Sequence, residues 1–125
     1  MRLLLDSHAL FWVLTDNPRL SVRARSAILD DANDVYYSPA SLYELVFKAA
    51  RGRMSAAALA LPESLGAAGF PELAITAAHL IHAARLDWEH GDSWDRILLA
   101  QATLEGLALV SADAVFDAVS EIRFW

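Results

Sequence analysis

No cysteine occurs anywhere in the 125 residues. That excludes a disulfide framework and any thiolate metal site. Lysine is nearly as scarce: Lys48 stands alone among ten basic residues, set against sixteen acidic ones for a net charge of −6. Such a balance excludes a broad basic face that grips nucleic acid electrostatically. It leaves room for a nucleic-acid enzyme whose acids are gathered around a cation. Glycine (5) and proline (4) are few, and no Gly-x-Gly-x-x-Gly, phosphate-loop Gly-Lys-Ser/Thr or Gly-x-Ser-x-Gly segment is present. Neither a nucleotide cofactor nor a serine nucleophile has an anchor. His8, His79, His82 and His90 form no His-Glu-x-x-His zinc motif; His8 and His90 read as structural or solvent-facing.

Long hydrophobic runs are missing too. No uncharged stretch approaches the roughly 20 residues of a membrane helix. Arg2 and the leucines after it imitate a signal peptide, but Asp6 and His8 interrupt them at once. The expectation is a soluble, cytoplasmic protein with no membrane partner.

What is present is an apolar composition, 56% hydrophobic against 21% charged, which excludes disorder. The length suits one compact domain, residues 1–125. Its opening, Leu3-Leu4-Leu5-Asp6, reads as a buried strand of a parallel sheet ending in a carboxylate. Ligands bind beyond the carboxyl ends of such strands. Asp6 is then either a ligand or the N-cap of the helix over 7–15.

Further along, Ser21 caps a predicted helix over 22–31 and Val35–Tyr37 is a short strand. Ser38-Pro39 starts a helix that runs to Arg51. A second helix is expected over 56–66, inside a run from Met54 to Pro62 with no charge at all. That run is either buried within the domain or a surface for a partner. Leu73–Ile75 reads as a third strand and Thr76 as the cap of a helix to Leu86. After a polar loop, a helix from Asp95 or just before it ends at Gly106. Leu107–Val110 is a second buried strand, a short helix follows Asp113, and Ile122–Phe124 is a last edge strand. Strands alternating with helices predict a three-layer α/β/α sandwich around a mainly parallel sheet of four or five strands.

Four acids share one place in that topology. Asp6 follows the first strand, and Asp113 comes three residues after Val110. Glu44 lies in the helix after the second strand, and Asp95 in the first turn of the helix that leads into Leu107. All four converge beyond one end of the sheet. A pair of carboxylates about 4 Å apart repels by about 4 kcal/mol at an effective dielectric of 20, so a cation is needed. Mg²⁺ or Mn²⁺ takes oxygen ligands and keeps several waters, one of which can attack a phosphodiester. Each acid also has a plainer role open to it. Asp92 and Asp95 suit a helix N-terminus, Glu44 can pair with Lys48 at i, i+4, and Asp113 can cap the short helix after it.

The motifs resemble the PIN-domain toxins of the VapC type. Leu3-Leu4-Leu5-Asp6-Ser7-His8-Ala9-Leu10 is similar to that family's opening, as is Pro18-Arg19-Leu20-Ser21 after the first helix. Ser38–Lys48 is similar to its Glu-bearing helix, with Gly52-Arg53 following. His90-Gly91-Asp92-Ser93-Trp94-Asp95-Arg96 resembles its most specific block, with Ser93-Trp94 where Pro-Phe is usual. Leu109–Phe116 is similar to the last. The resemblance implies that Asp6, Glu44, Asp95 and Asp113 are the catalytic, metal-binding acids, with Ser7 and Ser111 as supporting hydroxyls. It further implies Mg²⁺- or Mn²⁺-dependent cleavage of RNA by a homodimer that a cognate antitoxin neutralises. Lys48, Arg51, Arg53 and Arg96 are candidate phosphate contacts near the acids, or else solvated helix surface.

Two rivals remain open. A catalytically silent binding module would use the 54–70 segment with Phe11, Trp12 and Trp94. A phosphoacceptor receiver domain would need an Asp ending the third strand and a Lys ending the fifth, and the sequence offers neither.

Overall fold

The computed structural model describes residues 1–125. Strands β1 (Arg2–Leu5), β2 (Asp34–Tyr37), β3 (Ala108–Val110) and β4 (Arg123–Phe124) lie in the order β2-β1-β3-β4, all parallel. β1 is flanked on both sides, Leu5 pairing with Tyr37 and with Val110. A parallel strand covered on both faces needs apolar side chains in succession, and Leu3, Leu4 and Leu5 are all fully buried.

Because side chains alternate along a strand, the three leucines divide between two cores. Leu3 and Leu5 enter a cluster with helices α1 (Ser7–Leu14), α2 (Val22–Ile28) and α3 (Pro39–Ala50), through Leu10, Ile28 and Leu45. Leu61 and Leu65 of α4 (Leu61–Ala68) complete that layer. Leu4 faces the other way, into Leu98, Leu99, Ala102 and Phe116, most of them on α6 (Ser93–Glu105), against which α5 (Ala77–Arg85) packs. The result is the expected three-layer sandwich, with four strands.

The helix starts follow from their caps. Ser21 accepts from the Ala24 amide, and Ser38 caps α3 with Pro39 in its first turn. Thr76 caps α5 reciprocally with His79, whose Nδ1 accepts from the Thr76 amide while its Nε2 donates to Glu105 at 2.8 Å. Gly106, at φ 67°, ends α6 in the left-handed conformation that favours glycine.

The expected strand at Leu73–Ile75 does not form. A single bridge between Glu72 and Tyr37, with the Tyr37 amide donating to the Pro71 carbonyl and the Leu73 amide to the Tyr37 carbonyl, ties the residues before it to the end of β2. Beyond it, the buried Gln101 side chain donates to the carbonyls of Leu73 and Ala74. A side chain thus does the work of a neighbouring strand. The Met54–Pro62 run is neither wholly buried nor wholly exposed. It forms a 3₁₀ turn over Ala56–Ala60 leading into α4, with Ala58 and Leu61 inside and Leu59 50% exposed. Phe11 belongs to the core, not to a partner surface. No helix is long and apolar enough to cross a membrane.

Candidate metal centre

Strand order decides where a site can form. The chain leaves β1 toward β2 on one side and returns to β3 on the other, so the β1/β3 boundary is a topological switch point, where a crevice opens beyond the carboxyl ends. Asp6 stands there. Its amide donates to the Val110 carbonyl at 3.0 Å, prolonging the ladder by one residue, and its Oδ1 accepts from the Ala9 amide at 2.8 Å. Asp6 therefore does cap α1, and only one of its oxygens is occupied in doing so.

Around it lies a cleft of about 130 Å³ with no hydrophobic lining, formed by Asp6, Glu44, Asp92, Asp95 and Asp113 with Ser7, His8 and Lys48. The four acids expected from the topology are all there. A larger cavity, about 550 Å³, lies instead at the opposite end of β3 beside Gly106 and Leu107. Glu121 is its sole carboxylate, so chemistry and not size selects the smaller cleft.

Each acid is held by different means. Glu44 is 6% exposed; its Oε1 accepts from the Ser7 hydroxyl and its Oε2 from Lys48 Nζ at 2.5 Å. The pairing of Glu44 with Lys48 is thus real, inside the cleft. Asp95 accepts from Nε2 of His90 at 2.7 Å through Oδ2. Asp92 is the N-cap of α6, taking the Asp95 amide. Asp113 caps the 3₁₀ turn over Ala114–Ala118, and its amide donates to Ser111 Oγ. The two expected hydroxyls therefore fasten the acids: Ser7 holds Glu44, and Ser111 stands between Asp113 and Asp6.

Burial is the dominant electrostatic fact. It pushes the Asp6 carboxyl up to about 6, against the lowering effects of Ser111, the Ala9 amide and His8; Asp95 adds to the rise. Asp95 is also raised, first by burial, with His90 opposing and Asp92 and Glu44 adding. Burial disfavours the charged forms of Asp6 and Asp95, and a cation among the acids would offset that cost. The donor set is rich in oxygen and has no sulfur, which suits a hard divalent ion such as Mg²⁺ or Mn²⁺. His90, Asp92 and Asp95 also bring one ligand atom each within 4.8 Å of one another. The residues present fit such an ion.

Two residues not expected at the site are Asp92, which lines the cleft, and His90, which holds Asp95 from outside it. Asp92 carried a signal, three residues before Asp95, since the acceptor of an N-cap and the first-turn acid lie together. His90 carried none, because its place depends on how the loop before α6 folds back.

Arg96 holds that loop. Its guanidinium donates to the carbonyls of Ala83, Leu86, Trp88 and His90 at 2.7–3.1 Å. These bonds commit its donors to the main chain, so Arg96 is a clamp and not a free phosphate contact. Lys48 lines the cleft, Arg53 lines an adjoining pocket beside Ser7 and His8, and Arg51 lies over the Phe47 ring at 3.6 Å. Arg96→Lys, which cannot reproduce the planar fork, is expected to cost about 1–3 kcal/mol through carbonyls left unpaired. Thermal denaturation measures it; an unchanged midpoint would remove the clamp from the account.

A parallel sheet with acids at its switch point defines an α/β domain whose acids fit a divalent cation. The chain belongs to the PIN-domain family, whose model matches residues 3–122. PIN domains are generally nucleases that use divalent metals. The fold is similar to the crystal structure of VapBC2 from Rickettsia felis bound to a DNA fragment from their promoter. The TM-score is 0.71 at 14% identity, covering 95% of this chain and 93% of that one. No curated protein matches the chain in sequence.

Proposed function

We propose that this PIN domain is a metal-dependent endoribonuclease and the toxin of a type II toxin–antitoxin pair. The observation that carries the reading is the meeting of Asp6, Glu44, Asp95 and Asp113 in one wholly polar cleft. Asp6, Glu44, Asp95 and Asp113 are the ligands of a Mg²⁺ ion, for which Mn²⁺ can substitute. When bound, that ion supplies a Lewis acid that lowers the pKa of a water and neutralises charge developing on a phosphodiester. The chain's own part is positional. Ser7 and Lys48 fix both oxygens of Glu44, and His90 fixes one oxygen of Asp95. Asp6 spends only Oδ1 on the Ala9 amide, and its raised pKa means that ion binding and proton release go together.

The substrate is RNA, with Lys48, Arg51 and Arg53 as phosphate contacts at the mouth of the cleft. The protein partners are a cognate antitoxin and a second copy of the chain. Exposed apolar side chains are available to such partners at both ends of α2, Val22 and Leu29, and on α5, Leu80 and Ile81. A receiver domain finds no support. The segment after Leu73 is not a strand, and Lys48 is engaged with Glu44.

The purified protein is expected to cleave RNA in Mg²⁺ or Mn²⁺ and to stop in EDTA. Asp95→Asn is expected to lose the same activity while staying folded. Cleavage that persists in both conditions would sink the mechanism.

A further inference from the structure

Next to the acids lies a feature that the metal chemistry does not use. Tyr43, Phe47 and Trp94 form a mutually packed aromatic cluster, with ring centroids 5.5 Å apart for Tyr43–Phe47, 6.2 Å for Tyr43–Trp94 and 6.1 Å for Phe47–Trp94. Tyr43 immediately precedes Glu44 and Trp94 immediately precedes Asp95, so the cluster is tied by sequence to two of the acids. Tyr43 is 58% exposed. A ring cluster meant only to fill a core would not leave its first member in water.

Positive charge accompanies the rings. Lys48 Nζ lies 5.5 Å from the centre of the Trp94 ring and 2.5 Å from Glu44 Oε2. Ring and acid are therefore within the span of one nucleotide. Arg51 covers Phe47, and Arg53 borders the neighbouring cleft. In a chain of net charge −6, three of the cations stand at the end of one helix, beside these rings. Unpaired nucleic acid asks for that combination: aromatic faces for bases and cations for the phosphates between them. Lysine is depleted from the cores of protein interfaces, so Lys48 over the Trp94 ring favours phosphate over a protein partner.

Resting on the ribonuclease reading, we propose that Trp94 and Tyr43 are a stacking platform for an unpaired base next to the scissile phosphate. Phe47 is the pillar between them, and Lys48 and Arg51 hold the flanking phosphates. The platform makes single-stranded RNA the preferred substrate and sets which nucleotide enters the cleft.

The test is fluorescence anisotropy of the full chain in EDTA with a labelled short oligouridylate. An oligomer of the same length lacking its bases, and the uridylate paired with its complement, serve as comparisons. Trp94→Ala and Tyr43→Ala are each expected to weaken binding of the single strand by roughly tenfold, with Trp94→Phe keeping most of it. The abasic and duplex forms are expected to bind the wild type weakly and to be indifferent to Trp94→Ala. Equal affinity in wild type and both alanine variants would overturn the platform, as would an equal loss toward the abasic strand. Sedimentation settles the remaining case. A dimer that Tyr43→Ala dissociates, with RNA affinity unchanged, makes this face an interface between copies and overturns the proposal. Wild-type protein that cleaves RNA in Mg²⁺ but shows no aromatic dependence fails the platform alone. Protein that neither binds nor cleaves RNA fails the ribonuclease reading as well.

Discussion

Replacing Asp6 by Asn is expected to abolish metal-dependent RNA cleavage while making the metal-free protein more stable. The two effects have one origin. Asp6 is buried, and burial holds its carboxyl near 6 instead of the 3.8 of an exposed Asp. As pH rises from about 4 to about 6, the unfolded chain loses this proton and the folded one keeps it, so stability falls. Above about 6 the loss levels off at on the order of 3 kcal/mol. Asp95 is shifted in the same direction and adds to it. Asn remains a good N-cap and still offers an oxygen to the Ala9 amide, but it carries no charge to bury. At neutral pH in EDTA, Asp6→Asn is expected to gain most of that amount, with the gain vanishing toward pH 4. Its cleavage rate is expected to fall at least about a thousandfold, since a charged ligand contributes several kcal/mol at 1.36 kcal/mol per factor of ten. Chemical denaturation across pH measures the first effect. A variant less stable than wild type at neutral pH would show that Asp6 is structural.

Leu4→Ala is expected to give the largest loss of stability. Leu4 is fully buried at the centre of the sheet, where it alone carries β1 into the core formed with α6. Removing a leucine from such a site costs about 2–5 kcal/mol through lost transfer energy and the cavity left behind. The upper half of that range is expected here, because Leu98, Leu99 and Phe116 are themselves fixed by the helix and the turn they belong to. A loss of about 4 kcal/mol lowers the melting midpoint by about 15 °C, against a total stability of roughly 5–15 kcal/mol for a domain. Leu59→Ala, on a side chain half in water, is expected to cost less than about 1 kcal/mol and serves as the control. Equal effects at the two positions would contradict the division of β1 between two cores.

Much of this was readable from residue order because the local signals agreed with one another. Three leucines ending in Asp6 define a buried strand and the site at its end. Ser21, Ser38-Pro39, Thr76 and Gly106 set helix limits through bonds made within a few residues. The four acids followed from topology, since each sits at a strand end or in a helix flanking one. The misreadings share a cause. Leu73–Ile75 has strand-like residues, but Gln101, far along the chain, takes its carbonyls. Arg96 reads as a surface cation because nothing in the residue order tells that carbonyls of the end of α5 and of the loop after it surround its guanidinium. His90 reaches Asp95 only because that loop is clamped. Side-chain bonds to main-chain carbonyls and within irregular loops leave no periodicity to read.

The central claim is that the five-carboxylate cleft is a divalent-cation centre, and calorimetric titration of Mn²⁺ into the metal-free protein tests it most directly. The account predicts saturable binding to the wild type. Proton release is expected near pH 6, from Asp6, and much less near pH 8. It also predicts binding weakened at least about tenfold by Asp6→Asn. Absence of binding to the wild type, or equal binding to the variant, would contradict it.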